Sequence, residues 1–198
     1  MEKLKYARPS AEYENQAIDF INEFIACKSE INGVGGLYRY LNDYSSWLKK
    51  LEEDKHRVPD EDKVPAETFF LVRQSDNRIV GMINIRLALN EKLRHFAGHI
   101  GYCIRPSERR QGYSKINLYL GLLVCQKHGI KEVLLDCDKD NLGSAKTIQA
   151  LGGRLLREYY EDIYAHCIVQ DYAIDVDKSV EVYKAVYEPY IIINDMPS

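Results

Sequence analysis

Residues 98–115, GHIGYCIRPSERRQGYSK, contain the clearest strand–turn–helix pattern in this chain. Apolar side chains alternate through the first part of the stretch, at Ile100, Tyr102 and Ile104. This alternation predicts a strand, and Pro106 marks the turn that ends it. Gly112 lies in the same turn, and a helix is predicted to begin at about Ser114. The stretch therefore predicts a strand that leads through a glycine turn into a helix.

The predicted turn has the properties of an anion-binding site. Backbone N–H groups at the start of a helix have no intrahelical partner and lie at the positive end of the helix dipole. Gly112 has no Cβ to keep a phosphate away from those groups. The turn carries one acidic residue, Glu108, and four basic residues: Arg105, Arg109, Arg110 and Lys115. Because the chain as a whole has a net charge of -3, this local positive charge predicts an anionic ligand.

The spacing of residues in the turn narrows the choice of ligand. The dinucleotide fingerprint GxGxxG and the phosphate loop GxxxxGK(S/T) are both absent from the sequence. The stretch from Arg109 to Ser114 instead reads RxxGxS. It resembles the (Q/R)xxGx(G/A) signature of the GNAT superfamily of acetyl-CoA-dependent N-acetyltransferases, with Ser114 replacing the usual Gly or Ala. Gly-Tyr at 101–102 and Gln-Gly-Tyr at 111–113 look most like the branch that includes ribosomal-protein N-terminal acetyltransferases.

The elements that follow the turn strengthen the resemblance. One apolar helix face is formed by Ile116, Leu120, Leu123 and Val124, and Gly129 ends that helix. Next come the strand KEVLLDCD at 131–138, Asn141, a short helix, and Gly152-Gly153. In the superfamily, this order of elements holds the cofactor. The resemblance covers about residues 67–175, with its specific motifs between 98 and 153.

The resemblance implies a set of residues that bind acetyl-CoA. They are Cys103, Ile104, Arg109, Arg110, Gln111, Gly112, Tyr113, Ser114, Lys115, Asn141, Ser144 and Lys146. In the family, a backbone N–H of the strand before the turn stabilises the developing oxyanion, and here that donor lies within residues 102–104. Asn141 matches the family's Asn, so its side chain is expected to bond the pantetheine arm or hold the end of the strand.

The reaction implied is attack of a neutral amine on the acetyl thioester. An alkyl amine with a pKa of about 10.4 is mostly protonated at neutral pH, so a base is valuable. The strand positions where better-known relatives carry a Glu or His base fall on Gly98 and Ile100, and the position of their acidic Tyr falls on Ile148. His99 reaches the site only if a β-bulge changes the alternation of the strand. The candidate catalytic residues are His99, Tyr102 and Glu67.

Two polar residues on the strand at 79–87 are candidates for substrate binding. Asn84 and Arg86 alternate with apolar neighbours, and Arg86 can bind a carboxylate or phosphate of the acceptor. The alternative is a solvated or ion-paired arginine. His95 and His99 lack a third ligand, so no metal site is predicted.

The chain has 198 residues, 45% of them hydrophobic, and is predicted to form a single domain. Residues 1–66 supply an N-terminal strand and helices, 67–175 the cofactor-binding and catalytic core, and 176–198 a C-terminal extension. Before the core, a strand is predicted at 3–8 and helices at 10–27 and 37–53; the core opens with a hairpin of 68–73 and 79–87. In the extension, Asp177 is predicted to cap a short helix, and a strand follows near 190–193. The expected fold is α/β and GNAT-like, with a mostly antiparallel mixed sheet flanked by helices on both faces.

Tyrosine is concentrated near the C-terminal end. Seven of the fifteen tyrosines are Tyr159, Tyr160, Tyr164, Tyr172, Tyr183, Tyr187 and Tyr190. Two explanations remain open. The rings line an acceptor pocket or a homodimer interface, or they simply populate strands.

Composition excludes several classes of protein. No apolar run is long enough to span a bilayer, and the N-terminus lacks an apolar signal region. The five cysteines form no CxxC pair. A cytoplasmic protein with reduced thiols is therefore expected. A pI of about 6.0 argues against nucleic acid as a partner. The predicted function is transfer of an acetyl group from acetyl-CoA to a primary amine of a small molecule or peptide. The alternative is an acyl-CoA-binding regulatory module with little catalytic activity.

Overall fold

The computed structural model describes residues 2–162 and 166–192 of the chain. The described residues form seven strands: β1 Leu4–Ala7, β2 Ala66–Arg73, β3 Arg78–Arg86, β4 Ile100–Ile104, β5 Glu132–Asp138, β6 Arg154–Glu161 and β7 Cys167–Asp175. They also form six α-helices: α1 Glu14–Ala26, α2 Tyr44–Lys55, α3 Glu91–His95, α4 Tyr113–Lys127, α5 Leu142–Gln149 and α6 Val176–Tyr187. The strands pair antiparallel in a four-stranded sheet of order β1-β2-β3-β4 and a three-stranded sheet of order β5-β7-β6.

Strand β2 separates two hydrophobic cores. Its residues Phe69 and Leu71 pack in one core with α4 and α6, while Phe70 and Val72 pack in the other with α1 and α2. Successive side chains of a strand point to opposite faces, so a strand covered by helices on both sides is apolar at nearly every position. This explains why β2 reads AETFFLVR without a polar alternation.

The two sheets meet just before β4 begins. The backbone N–H of His99 donates to the Leu134 carbonyl of β5 at 2.7 Å, and the Leu134 N–H donates to Nδ1 of the His99 ring at 3.0 Å. Beyond this point the described backbones of β4 and β5 make no bonds to each other, and the two strands belong to separate sheets. We call the space between 102–104 of β4 and 135–138 of β5 the β4–β5 gap.

The predicted fold class is confirmed. Helices cover both faces, and the isolated bridge between Leu4 and Ile191 is parallel in an otherwise antiparallel sheet. The helix predicted at 37–53 is instead a 3-10 turn at Leu37–Arg39 followed by α2. The helix starts late because the Asp43 carboxylate caps it by accepting from the Ser46 N–H at 3.1 Å.

The C-terminal extension also differs from the prediction. Helix α6 has 12 residues, and Asp175 caps it by accepting from the Lys178 N–H. Asp177 lies inside the first turn, where its carboxylate bonds Gln126 at 2.8 Å and Lys131 at 2.9 Å. Of the strand predicted near 190–193, the described part contains only the bridge at Ile191, and residues 193–198 lie outside the described range.

The C-terminal tyrosines fall into two groups. The Tyr187 ring packs at a tilt against Tyr119 of α4, with ring centroids 5.3 Å apart, Tyr183 packs beside Tyr187, and Tyr172 is buried in β7. Tyr160 of β6 is 63% exposed. Tyr164 lies outside the described residues. Tyr172 and Tyr187 therefore belong to the hydrophobic core, Tyr183 and Tyr190 pack against it, and Tyr160 faces solvent.

Candidate active site

The N-terminus of α4 presents a row of backbone donors. Gly112 precedes the helix with a φ of +81°, and Arg110 has a φ of +64°. In residues 2–162 and 166–192, the N–H groups of residues 110–114 meet no acceptor. Free N–H groups at a helix start, beside a left-handed turn, are the usual backbone site for phosphate. This geometry is suited to an anion, and binding of one at this turn stays a prediction.

Fewer positive charges surround these donors than the sequence suggested. Arg110 and Lys115 are exposed beside them. Arg109 is exposed too, but its guanidinium donates to Ser29 Oγ at 2.7 Å and lies over the Phe24 ring. Arg105 does not belong to the anion site. It is 2% exposed and points at α1, as an ion pair with Asp19 at 2.7 Å and Glu23 at 3.1 Å.

The acidic residue of the turn is also neutralised. Glu108 is buried and accepts from Arg73 Nη1 at 2.7 Å and from Gln111 Nε2 at 3.1 Å. Tyr113, the first residue of α4, is buried. The side chains of Gln111 and Tyr113 therefore support the turn, while the backbone of the turn remains open.

Helix α5 makes side-chain contacts with both β4 and α4. The Tyr102 hydroxyl lies 3.1 Å from Ser144 Oγ, and Ser114 Oγ lies 3.0 Å from Thr147 Oγ1. Asn141 caps α5, because its Oδ1 accepts from the Ser144 N–H at 3.1 Å. Its Nδ2 amide has no partner in the described part of the chain. Lys146 is exposed on the same helix.

The phenol of Tyr102 and the thiol of Cys103, both in β4, are held in their neutral forms. Burial raises the pKa of Tyr102 to about 12, although the bond with Ser144 acts in the opposite direction. Burial likewise raises the pKa of the Cys103 thiol to about 12. Tyr102 is therefore a phenol that can donate a proton at neutral pH, and Cys103 is a thiol with little nucleophilic thiolate.

His99 is a buried neutral ring. Burial lowers its pKa to about 4, and the nearby charges of Arg94 and Arg86 act in the same direction. Its Nδ1 accepts the Leu134 N–H, so the ring proton resides on Nε2. The ring can take up a proton at Nδ1 only by giving up that bond. The catalytic role suggested for His99 stays a prediction.

Glu67 lies far from the anion site. Its Oε1 accepts from Arg8 Nη2 at 3.1 Å, and its Oε2 lies 3.2 Å from Nε2 of His128. His128 follows the last residue of α4, whereas Gly112 precedes the first. At 1.5 Å per residue, the two ends of the helix are about 24 Å apart. The structure therefore does not bring Glu67 together with the phosphate-binding turn.

The two candidate substrate residues make internal contacts. Asn84 Nδ2 donates to Thr68 Oγ1 at 3.0 Å. Arg86 Nη1 donates to the carbonyls of Ala97 at 3.2 Å and Gly98 at 2.9 Å. Binding of an acceptor by either side chain stays a prediction.

Two features beside the β4–β5 gap were not predicted from the sequence. Asp136 of β5 is half-buried, its Oδ2 accepts from the Ala97 N–H at 3.0 Å, and burial raises the pKa of its carboxyl. Aspartate is uncommon inside a strand, so its presence within β5 could have marked Asp136 as a residue with a specific contact. The loop between α1 and α2 packs directly on β4, because a Cβ on Gly33 would lie 2.1 Å from the Gly101 carbonyl oxygen.

A model of the acetyltransferase (GNAT) family matches residues 36–152, more than half of the chain and including the turn, α4 and α5. The chain belongs to the GNAT family. It is thus an acetyl-CoA-dependent acetyltransferase. No curated protein matches the chain. The family match gives no support to the alternative of an acyl-CoA-binding regulatory module with little catalytic activity.

Solved GNAT structures share the fold. RimJ of Mycobacterium smegmatis, in complex with CoA-disulfide, is 15% identical with a TM-score of 0.69, over 91% of this chain and 88% of that one. RimL, a ribosomal L7/L12 alpha-N-protein acetyltransferase in complex with coenzyme A, is 16% identical with a TM-score of 0.64, over 88% and 95%. Mutant forms of the spermidine/spermine N-acetyltransferase SpeG from Vibrio cholerae are 11% identical with a TM-score of 0.63, over 91% and 98%.

The residues of this GNAT domain fit acetyl-CoA. Unpartnered N–H groups at 110–114, with Arg110 and Lys115, suit a pyrophosphate, and the β4–β5 gap adjoins them. In the described part of the chain, no group of three His, Cys, Asp or Glu side chains could hold a metal ion. None of the described helices is long and apolar enough to cross a membrane.

Proposed function

We propose that this chain acetylates a primary amine of a small molecule or of a peptide or protein, with acetyl-CoA as the donor. The observation that carries the proposal is the row of unpartnered N–H groups at the N-terminus of α4, the helix that follows β4 in the chain. A backbone phosphate site beside two separated strands provides a binding surface for a long phosphorylated thioester.

Each part of the cofactor has residues suited to hold it. Backbone N–H groups of residues 110–114, with Arg110 and Lys115, are proposed to bind the pyrophosphate, and Lys146 lies exposed on α5 for a further phosphate. The free Nδ2 of Asn141, Ser144 and the backbone of residues 103–104 are proposed to bind the pantetheine arm. When bound, acetyl-CoA supplies an acetyl group activated as a thioester.

The chain's own groups then handle charge and protons. Strand β4 pairs with β3 on one side only, so alternate backbone groups of residues 102–104 face the gap. An N–H among them is proposed to stabilise negative charge on the carbonyl oxygen. Tyr102 holds a proton at its phenol oxygen and is proposed to pass it to the departing sulfur. Because Nδ1 of His99 is already bonded, the amine proton is proposed to leave through water.

The acceptor is proposed to be a polyamine-like small amine or a peptide N-terminus. Related folds include a spermidine/spermine acetyltransferase and a ribosomal-protein acetyltransferase, so the scaffold accommodates both kinds of amine. A homodimer and a cytoplasmic location are further parts of the proposal. The exposed Tyr160 supports the homodimer, and the five free cysteines support the cytoplasmic location. Light scattering of the purified protein tests the dimer.

The deciding experiment measures release of the CoA thiol from acetyl-CoA over a panel of polyamines, amino-sugar amines and peptides with different N-terminal residues. We expect one amine class to raise thiol release well above the rate with acetyl-CoA alone. Calorimetric binding of acetyl-CoA is measured beside it. Tight binding with no release over the whole panel would instead favour the regulatory module.

A further inference from the structure

The segment that leads into β4 has an unusual backbone. Ala97 has a φ of +78° and Gly98 a φ of +55°, so two successive residues adopt the left-handed region. An alanine there is strained and persists only where its surroundings impose the conformation. A Cβ on Gly98 would lie 2.2 Å from the Leu134 carbonyl oxygen, so the segment presses directly on β5.

Three side chains from three strands or strand ends hold this segment. Arg86 of β3 donates to the carbonyls of Ala97 and Gly98 at 3.2 and 2.9 Å. Asp136 of β5 accepts the Ala97 N–H at 3.0 Å, and the His99 ring accepts the Leu134 N–H at 3.0 Å. We call Arg86, His99 and Asp136 the vertex lock.

The lock replaces backbone pairing at the place where β4 and β5 part. In a continuous sheet, the Leu134 N–H would bond a carbonyl of the neighbouring strand. Here a ring nitrogen takes that N–H, while the carbonyls of Ala97 and Gly98 are occupied by Arg86. Side chains thus satisfy the backbone groups, and the ladder between the two strands ends after Leu134.

We infer that Arg86, His99 and Asp136 are positioning residues that fix the vertex of the β4–β5 gap and hence the placement of the acetyl group within it. This inference rests on the proposed function. The phosphates bind at the α4 N-terminus, beyond the last residue of β4, so the arm runs back along β4 toward its start. The reactive end of the cofactor therefore lies at the end of the gap that the lock holds.

The test compares replacements that keep or remove each bond. Asn at position 99 offers an amide oxygen to the Leu134 N–H, whereas Leu offers no acceptor. The exposed histidine His56 serves as the control position. His99→Leu should lower kcat by about 10- to 100-fold, because small misplacements are costly, and leave the Kd for CoA within about threefold. His99→Asn and His56→Leu should stay within about threefold of wild type.

Asp136 supplies a second, independent comparison. Asp136→Asn keeps an oxygen for the Ala97 N–H and should retain kcat within about threefold, while Asp136→Leu should lose about tenfold or more. If His99→Asn is as inactive as His99→Leu while folded, the ring itself does chemistry and the inference is overturned. A large loss in Asp136→Asn overturns it in the same way for the carboxylate.

The inference remains testable if the proposed function fails. Should wild-type protein acetylate no amine, the lock is judged by hydrogen exchange of the Leu134 amide. Faster exchange in His99→Leu than in His99→Asn supports the lock, and equal exchange in the two variants contradicts it. Absence of turnover in the wild type, by contrast, counts against the proposed function alone.

Discussion

The Tyr102 hydroxyl lies 3.1 Å from Ser144 Oγ, and this contact connects β4 to the start of α5. Tyr102 belongs to the part of β4, residues 102–104, where the family's backbone donor is expected. We propose that this phenol takes the place of the acidic tyrosine that many relatives carry at the position of Ile148, which has no proton to donate.

Replacement of Tyr102 by Phe should lower kcat by about tenfold and leave the KM for acetyl-CoA nearly unchanged. The loss is modest for a proton donor because a thiol with a pKa of about 8.5 leaves readily as thiolate. Steady-state kinetics at pH 7 measure both constants, with Tyr160→Phe as an exposed control. Full activity of Tyr102→Phe would rule out the phenol as donor.

Replacement of Gly112 by Val should weaken acetyl-CoA binding by about tenfold or more from a micromolar Kd, which corresponds to about -8 kcal/mol. A branched side chain is strained at a φ of +81° and displaces the backbone donors. Gly129→Val is a matched control, because Gly129 ends the same helix with a φ of +74° and open space around it. Calorimetry that finds equal affinity in both variants would contradict the phosphate site.

Two variants at Asn141 separate capping from cofactor binding. Asn141→Asp keeps an oxygen for the Ser144 N–H but loses the amide donor, so Tm should hold while the KM for acetyl-CoA rises severalfold. Asn141→Ala loses both, and the missing cap should cost about 1 kcal/mol of stability. Thermal unfolding and kinetics are compared for the two. An unchanged KM in Asn141→Asp would leave Asn141 a structural cap only.

The buried His99 should make the protein less stable in acid. Its pKa is lowered from 6.5 to about 4, so the unfolded chain binds more protons between these values, and stability falls as pH drops from 6.5 toward 4. The positive charges of Arg94 and Arg86 also lower the pKa of His99 and so add to this acid sensitivity. Asp136 acts in the opposite direction, because its pKa is raised in the folded protein and its protonation on acidification therefore stabilises the fold. Urea unfolding at pH 7 and 4.5 should show a smaller pH effect in His99→Asn. An identical pH effect in the two proteins would assign the acid sensitivity to other groups.

The sequence predicted the elements whose signal is local. The glycine turn and the alternation of β5 lie within short windows, and the structure contains both. Helix α4 differs from the single apolar face that was predicted, because residues 116–122 are all buried and Leu123 is half-buried. Helix α3 was missed because five residues give too little periodicity, and its cap, Asn90, is an ordinary loop residue. Capping of α6 was misplaced by two residues because Asp175 and Asp177 are both suitable and only the helix start distinguishes them.

Predictions about individual charges were less successful, for a physical reason. Counting Arg105 with the turn treats sequence neighbours as spatial neighbours, whereas its side chain pairs with Asp19 and Glu23 of α1. The bonds of Arg86, His99 and Asp136 join residues up to 39 positions apart. Such pairings depend on how two sheets meet, which no local pattern records.

Strand β2 also bears on how a fold of this kind can diverge. Phe69 and Leu71 belong to the core beneath α4, and Phe70 and Val72 to the core beneath α1 and α2, with the sheet between them. Replacements that reshape one core do not crowd the other, because no side chain reaches both faces of a strand. The helices on one face can therefore change in evolution or by design while α4, the helix proposed to anchor the acyl donor, stays intact. The face proposed to bind the acyl donor can thus be conserved while the residues on the opposite face of the sheet change.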